Sequence, residues 1–359
     1  EIAVGSRSTI DVSLQGNASS LEHVVVVGYG TQKKTDVTGS VKSVSSEAFN
    51  KGIINSHEQL LQGKVAGVNV TSATGEPGGT QGITIRGPGG IRTGRTPLLV
   101  IDGLALDNSS TGGGNPLNFL NPQDIETIDV LKDAASAAIY GSRAGAGVLL
   151  ITTKRGKSGK AKVSIDSWAG VSSAVRLPDV LNAEQYMFHK NMAIANALLL
   201  NPNAVSSTQR NSLNQSFLPN YNPDGSLIDT DWYKEVYQTS VSQNHNMTIT
   251  GGTDKTSYYF SAGYSDQDGF LKSNSFQRRS GRFNMDHQAT KWLKFTTNFN
   301  YSNTYNKAPM SGSNPGGAFN TSGLGRIAVA QVPNLPAYLP DGNYNLENNT
   351  VGRMNNLLP

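Results

Sequence analysis

The chain has 359 residues, of which 36% are hydrophobic, 39 are glycine and none is cysteine, with a formal net charge of +4. The missing thiols exclude a disulfide framework, a thiolate metal site and a cysteine nucleophile, and a small charge spread along the chain argues against nucleic-acid binding. No run reaches the roughly 18 consecutive apolar residues that a transmembrane helix needs, so a membrane role would have to use a β-barrel.

Residues 2–14 alternate like a strand, with Ile10, Val12 and Leu14 on one face, so the chain is expected to open within a larger N-terminal unit. It starts at Glu1 without a charged n-region or an apolar h-region, and any signal peptide is expected to have been removed. Four valines at 24–27, followed by Gly28, Tyr29 and Gly30, mimic the strand and first turn of a dinucleotide site. That reading fails, because Lys33 stands where the third glycine belongs and no helix start follows to receive a pyrophosphate. Gly156, Lys157 and Ser158 are likewise no P-loop, since Ile151 occupies the earlier glycine position.

Residues 55–62 predict a short helix capped by Asn55 or Ser56, with Leu60 and Leu61 buried. Residues 65–70, 82–86 and 97–102 predict three short strands between glycine-rich turns. Two long polar loops, 71–81 and 107–118, read either as solvated connections or as a ligand-facing surface. At 121–156 (NPQDIETIDVLKDAASAAIYGSRAGAGVLLITTKRG), Pro122 and Asp124 favour a helical first turn and Ile128 and Val130 alternate with polar neighbours as in a half-buried strand. Asp133 is positioned to cap an alanine-rich helix over 134–140, glycines 141, 145 and 147 break it, and 148–153 is an apolar run suited to a buried strand. These pieces predict a compact α+β domain over roughly 37–156.

Beyond residue 160 the pattern changes to period two. In 294–302, Phe295, Phe299 and Tyr301 share one face with Thr297 while polar residues take the other; 257–265 opposes Tyr258, Phe260, Ala262 and Tyr264 to Tyr259, Ser261, Gly263 and Ser265. Shorter matches lie at 246–250 and 282–286, with a weaker one at 162–171. Strands of about ten residues with one apolar face fit an outer-membrane barrel, and a soluble β-sandwich is the alternative. The Asn, Thr, Ser, Lys and Arg content of the polar face, and aromatics near the strand ends, favour the barrel. Residues 182–200 predict a helix, and 304–359 a Gly-, Asn- and Pro-rich excursion around a short apolar run at 324–332. Some four to six strands are countable, too few for closure, because the smallest barrels use about eight and an open edge cannot face lipid.

Chemistry-bearing signatures are scarce. His23, His57, His189, His245 and His287 show no metal spacing and are expected at surface or turn positions, and no GxSxG is present, so no catalytic residue, metal site or cofactor is assigned. Asp266 and Asp268 are expected in a hairpin turn, since no glutamate follows at Asn274 to complete a calcium loop.

The segments VVVVGYGTQKK (24–34), LLQGKVAGVNV (60–70), ITIRGPGG (83–90), PLLVIDG (97–103) and DIETIDVLKDAASAAIYGSRAGAGVLLITTKRGKSG (124–159) resemble, in this order, the SusC/RagA family of TonB-dependent outer-membrane transporters. QVPNLPAYLPDGNY (331–344) is similar to the family's first long extracellular region. The resemblance implies an α+β plug domain followed by an antiparallel transmembrane β-barrel, of 22 strands in the family, of which this chain would hold only the first part. It divides the chain into the tail of an N-terminal β-sandwich extension (1–20), a TonB-box region and linker (21–36), the plug (37–160) and the first barrel strands with their extracellular loops (161–359). The implied activity is non-enzymatic: import of an oligosaccharide or peptide across the outer membrane of a Gram-negative bacterium, energised by the TonB complex and partnered by a SusD-like surface lipoprotein, with outer-membrane lipid around the barrel. A non-transporting adhesin or glycan-binding β-protein is the alternative. Because an extended apolar segment can add to a partner's sheet, Glu22, Val24, Val25, Val26, Val27, Gly28 and Tyr29 are the expected TonB contacts. Asn108, Asn115, Asn118 and Phe119 are the expected substrate contacts.

Overall fold

The computed structural model describes residues 24–27, 30–33, 41–50, 54, 56–72, 76–79, 81–87, 96–106, 115–200, 219–307 and 324–345. Strands β1 (Val24–Val27) and β2 (Gly30–Lys33) pair as an antiparallel hairpin, Val24 opposite Lys33. A mixed sheet follows from β3 (Val41–Ser45), β6 (Leu98–Ile101), β7 (Leu104–Ala105), β8 (Ile125–Leu131) and β9 (Val148–Thr153), ordered β3-β8-β9-β6-β7, in which only β6 and β9 run parallel. A separate hairpin, β4 (Val68–Ser72) with β5 (Gln81–Ile85), packs its Val70, Ile83 and Ile85 into the main core.

Alternation along the central strands explains why they read as unbroken apolar runs. Leu99, Ile101, Leu149 and Ile151 enter the larger core, while Leu98, Val100, Val148 and Leu150 enter a second core built with Leu131, Ala137 and Ala144 on the opposite face. Both faces are thus covered. The half-buried pattern expected for 126–131 is corrected for the same reason: Ile128 to Leu131 are all buried because β8 lies inside the sheet, between β3 and β9.

Four local expectations also change. The helix at 55–62 is a single 3₁₀ turn, His57–Leu61, and Ser56 precedes it without a side-chain cap. Helix α1 covers only Ala134–Ala137 and continues as 3₁₀ turns to Ala144, interrupted at Gly141, whose φ is +65°. Asp133 does not cap α1, because its carboxylate is taken by Arg86 across the sheet edge. Asp266 and Asp268 lie inside a strand, and the turn comes after them.

The second sheet is an antiparallel meander of β10 (Gly159–Ser172), β11 (Ser240–Gly252), β12 (Thr256–Asp268), β13 (Ser275–Gln288) and β14 (Lys294–Lys307), each paired with the next. At 13 or 14 residues these strands run longer than the period-two matches. The alternation itself holds: Tyr259, Ser261, Ser265 and Gln267 are buried on the side of the mixed sheet, and Phe260 with its neighbours points away. The connections at one end are the short 253–255 and 289–293, while 173–239 lies at the other.

That long connection carries α2 (Ala183–Leu200) and α3 (Trp232–Val236). Helix α3 packs with α4 (Leu324–Ala330) and Leu271 into a third core, closed by the Trp232 Nε1 hydrogen bond to the Val332 carbonyl at 2.9 Å.

Gly147 ends the turn into β9 at φ +92°, and a Cβ there would sit 2.8 Å from Ile85 Cδ1 and 3.0 Å from the Leu131 carbonyl oxygen. Gly147→Val is therefore expected to destabilise this domain by about 2–4 kcal/mol, combining backbone strain with overpacking. The effect is read as faster amide hydrogen exchange across β9, and unchanged exchange there would refute it.

Candidate functional site

The mixed sheet sits against the inward face of the meander, and most of what joins them is polar. Arg278 and Arg282 project inward from β13, four residues apart and so two steps along the dyad repeat that also carries Phe276 and Asn284. Arg282 Nη1 donates to Thr153 Oγ1 at 2.9 Å and lies 3.6 Å from Asp102 Oδ2, while its Nε is 3.7 Å from Asp124 Oδ2. Thr153 ties the two sides further, its backbone N–H and Oγ1 both donating to the Asp102 carboxylate at 3.0 and 2.6 Å. Tyr259 on β12 donates to Asp124 Oδ1 at 2.9 Å. Arg282 is 5% exposed and Asp124 2%, so these charges are tolerable only because they face each other.

The elements explain the placement. Asn121 caps the 3₁₀ turn Pro122–Asp124 by accepting from the Gln123 N–H, which fixes Asp124 at the mouth of β8. Asp102 sits at φ +48° directly after β6, a conformation an aspartate tolerates better than most side chains, and this turns its carboxylate onto β9. Around the pair, Arg278 Nη1 donates to the Leu120 carbonyl at 3.1 Å, Asn284 Nδ2 to the Lys154 carbonyl at 2.8 Å and Asn121 Nδ2 to Asn246 Oδ1 at 2.8 Å. Gly263 makes room for the last of these, since a Cβ there would stand 2.6 Å from Asn121 Nδ2.

The histidine expectation is corrected at His57, which is buried. Its Nε2–H donates to the Leu120 carbonyl at 2.7 Å, the oxygen that Arg278 also uses. Burial first, and then the Arg278 charge, hold its pKa down to about 3. Beside it Glu58 is buried and raised in pKa by desolvation, with Asn115 Nδ2 donating to both carboxylate oxygens at 3.0 and 3.1 Å. Neither was legible, because a histidine in a 3₁₀ turn carries no periodic signal.

Of the expected substrate contacts, Asn115 is 4% exposed and spends its side chain on Glu58, the Gly79 carbonyl and its own turn. Asn118 is part-buried and donates to the Gly78 carbonyl at 2.8 Å, and Phe119 packs against the main core. Asn108 lies outside the described residues, as do Glu22, Gly28 and Tyr29 of the expected TonB contacts. Val24 to Val27 form β1, paired to β2 along one edge; among the described residues no strand covers the other. Nor do the described residues hold a group of histidines and carboxylates with metal-binding geometry.

Two outcomes follow. Arg282→Met leaves Asp102 and Asp124 facing each other without their cation, a loss of about 3–5 kcal/mol, so exchange in β8 and β9 should quicken while β11 and β12 stay protected; equal protection would refute the role. His57 is neutral when folded and has an ordinary value of 6.5, so its contribution is whole above pH 6.5 and is lost as pH falls toward 3. Between pH 7 and pH 5 that loss is about 2 kcal/mol. Glu58, raised by burial, works in the opposite direction, its contribution being lost as pH rises. The difference between native and His57→Gln protein in hydrogen exchange over 56–61 at the two pH values isolates the histidine, and the acid sensitivity should shrink in the variant.

A family model for the TonB-dependent Receptor Plug Domain matches residues 33–148. The TonB-dependent receptor SusC of Bacteroides thetaiotaomicron is 37% identical over 317 residues, 86% of this chain and 29% of that protein. The TonB-dependent receptor P26 of Formosa agariphila is 35% identical over 359 residues, 98% of this chain and 32% of that protein. Among solved structures, the RagAB peptide importer superposes in its open-open state with a TM-score of 0.68 at 27% identity, over 90% of this chain and 36% of that one, and in its closed-closed state with 0.65 at 26%, over 86% and 35%. The chain thus spans about a third of the length of the proteins it matches. A plug sheet locked by buried charges to an alternating antiparallel wall, with these likenesses in sequence and fold, makes the chain a member of the SusC/RagA family of TonB-dependent receptors.

Proposed function

We propose that the protein is an energy-coupled importer, not an enzyme, in the outer membrane of a Gram-negative bacterium, carrying an oligosaccharide or peptide and working with a SusD-like surface lipoprotein and the TonB complex. In this reading 21–36 is the coupling region after the tail of an N-terminal extension (1–20), 37–160 the plug and 161–359 the first wall strands with their loops. The observation that carries it is the character of the plug–wall interface. Apart from Phe276 over Gly78, its contacts are chiefly ion pairs and hydrogen bonds, from Asn121–Asn246 to Arg282–Asp124. Water can replace each of these when the plug shifts, whereas an apolar interface would expose surface at about 25 cal/mol per Å². A pulled plug can therefore open a path without unfolding the wall.

The pull enters at β1. Its uncovered edge suits strand addition to a partner's sheet, which supports residues 22–29 as the TonB contact. The cargo face is the opposite end. Plug residues 76–79 and 115–121 meet the long-loop end of the wall, where Asn274 Nδ2 donates to Glu76 Oε2 at 3.1 Å, and long loops are extracellular in such barrels. Asn118 and Phe119 sit on that turn and are proposed as cargo contacts together with Asn108, while Asn115 acts from beneath by holding the turn to Glu58. The RagAB structures, solved for a peptide importer, support the oligomeric-nutrient class.

Deleting residues 21–29 from the full-length receptor is expected to abolish uptake of labelled nutrient while leaving its binding at the cell surface intact. Uptake at the native rate would remove the coupling assignment. A soluble, detergent-independent protein lacking heat-modifiable gel mobility would favour the adhesin instead.

A further inference from the structure

The strand register arranges the outward face of the wall in rows. One row reads Val163, Ile249, Phe260, Phe283, Phe299; the next, toward the long loops, Ile165, Met247, Ala262, Gly281, Tyr301; the third turns polar, Ser167, His245, Tyr264, Arg279, Asn303. Ala262 and Gly281 are the smallest residues of the middle row, and a groove of about 630 Å³ opens over them, walled by Met247 and Tyr301 and capped by Tyr264 and Arg279. Packing behind the wall does not demand the glycine: a Cβ on Gly281 would meet nothing nearer than the Ser261 carbonyl oxygen at 3.9 Å. Its neighbour Gly263, by contrast, is required on the inside. The space at Gly281 is therefore open outward.

The polar end of the groove is built for an anion. Arg279 is exposed and makes no ion pair among the described residues. Asp266, the acid of the next row, is occupied in accepting from the Tyr264 hydroxyl at 3.1 Å. His245 stands parallel to the Tyr264 ring, with centroids 6.5 Å apart, and is held upright by Ser167 Oγ at 2.6 Å from its Nδ1. An unpaired guanidinium and upright rings over an apolar slot complement an amphiphile with a phosphate above and a hydrocarbon chain below, because guanidinium binds phosphate through charge-assisted hydrogen bonds.

We propose that this groove is a specific site for a phosphate-bearing, acylated lipid of the leaflet on the long-loop side, with one acyl chain over Ala262 and Gly281 and its phosphate on Arg279. The site rests on the reading of the wall as membrane-spanning. Rows stand about 6.6 Å apart along a strand, so the chain continues from the slot onto the Phe260 and Phe283 row, while the phosphate stays at the level where the wall becomes polar.

The test uses the detergent-purified full-length receptor and native mass spectrometry, with lipid A and its dephosphorylated form as probes. Heat-modifiable mobility of the same preparation reports separately on the membrane reading, and only preparations that show it are scored. The native receptor should retain lipid A about tenfold better than the dephosphorylated lipid. Arg279→Gln should erase that preference, and Gly281→Leu, which fills the slot from a position with room for its Cβ, should weaken both lipids about tenfold. Equal retention of the two lipids by the native receptor, or unchanged retention in either variant, overturns the site.

Discussion

Everything in this structure depends on two arginines being allowed inside. A guanidinium in the concave face of a β-wall is costly unless carboxylates meet it, and Asp102 and Asp124 come from the mouths of two different plug strands to do so. The geometry is demanding, since one residue of slip in β13 would send Arg278 and Arg282 to the outward face and bring Arg279 and Phe283 in. The charges thus fix the wall register and the seat of the plug together. Thr153, which donates to Asp102 and accepts from Arg282, makes the two carboxylates and the arginine one network.

That constraint separates two kinds of stability within one chain. The plug's own cores, built on Leu99, Ile101, Leu149 and Ile151 on one face and Val100, Val148 and Leu150 on the other, are apolar and hold the sheet as a rigid body. Its attachment to the wall is polar and exchangeable with water. A body held together by its own apolar cores, and held to the wall by polar contacts, can be displaced without being unfolded. The buried His57 and Glu58 belong to the same seam, because the Leu120 carbonyl is shared between His57 and Arg278.

The wall shows the same division across its thickness. Inward residues are mostly Asn, Ser, Gln and Arg, with Tyr259 and Phe276 among them, and several pair with plug side chains or backbone, while the outward rows are aliphatic and aromatic up to the level of Ser167, His245, Tyr264 and Arg279. One dyad repeat therefore presents an apolar face outward and a polar seam inward. Helix α3, Leu271 and α4 above it form their own small core, so the loop layer is a packed structure with the Trp232 indole as its pin.

The sequence by itself determined the elements whose signals are local. Alternation at 257–265 and 294–302 placed the wall strands and their faces, the apolar run at 148–153 gave β9, and the mixture of glycine corners with short strands gave an α+β plug. It misjudged what neighbours decide: β8 read as half-buried because nothing in 126–131 reveals strands on both sides, Asp133 read as a cap because Arg86 is 47 residues away, and His57 and Asn115 read as surface groups. Only the tertiary structure decided which polar residues are interior. The partners of Arg282 lie 129 and more residues distant along the chain, and the energy of a buried charge is set by what faces it in space, not by the residues beside it in sequence.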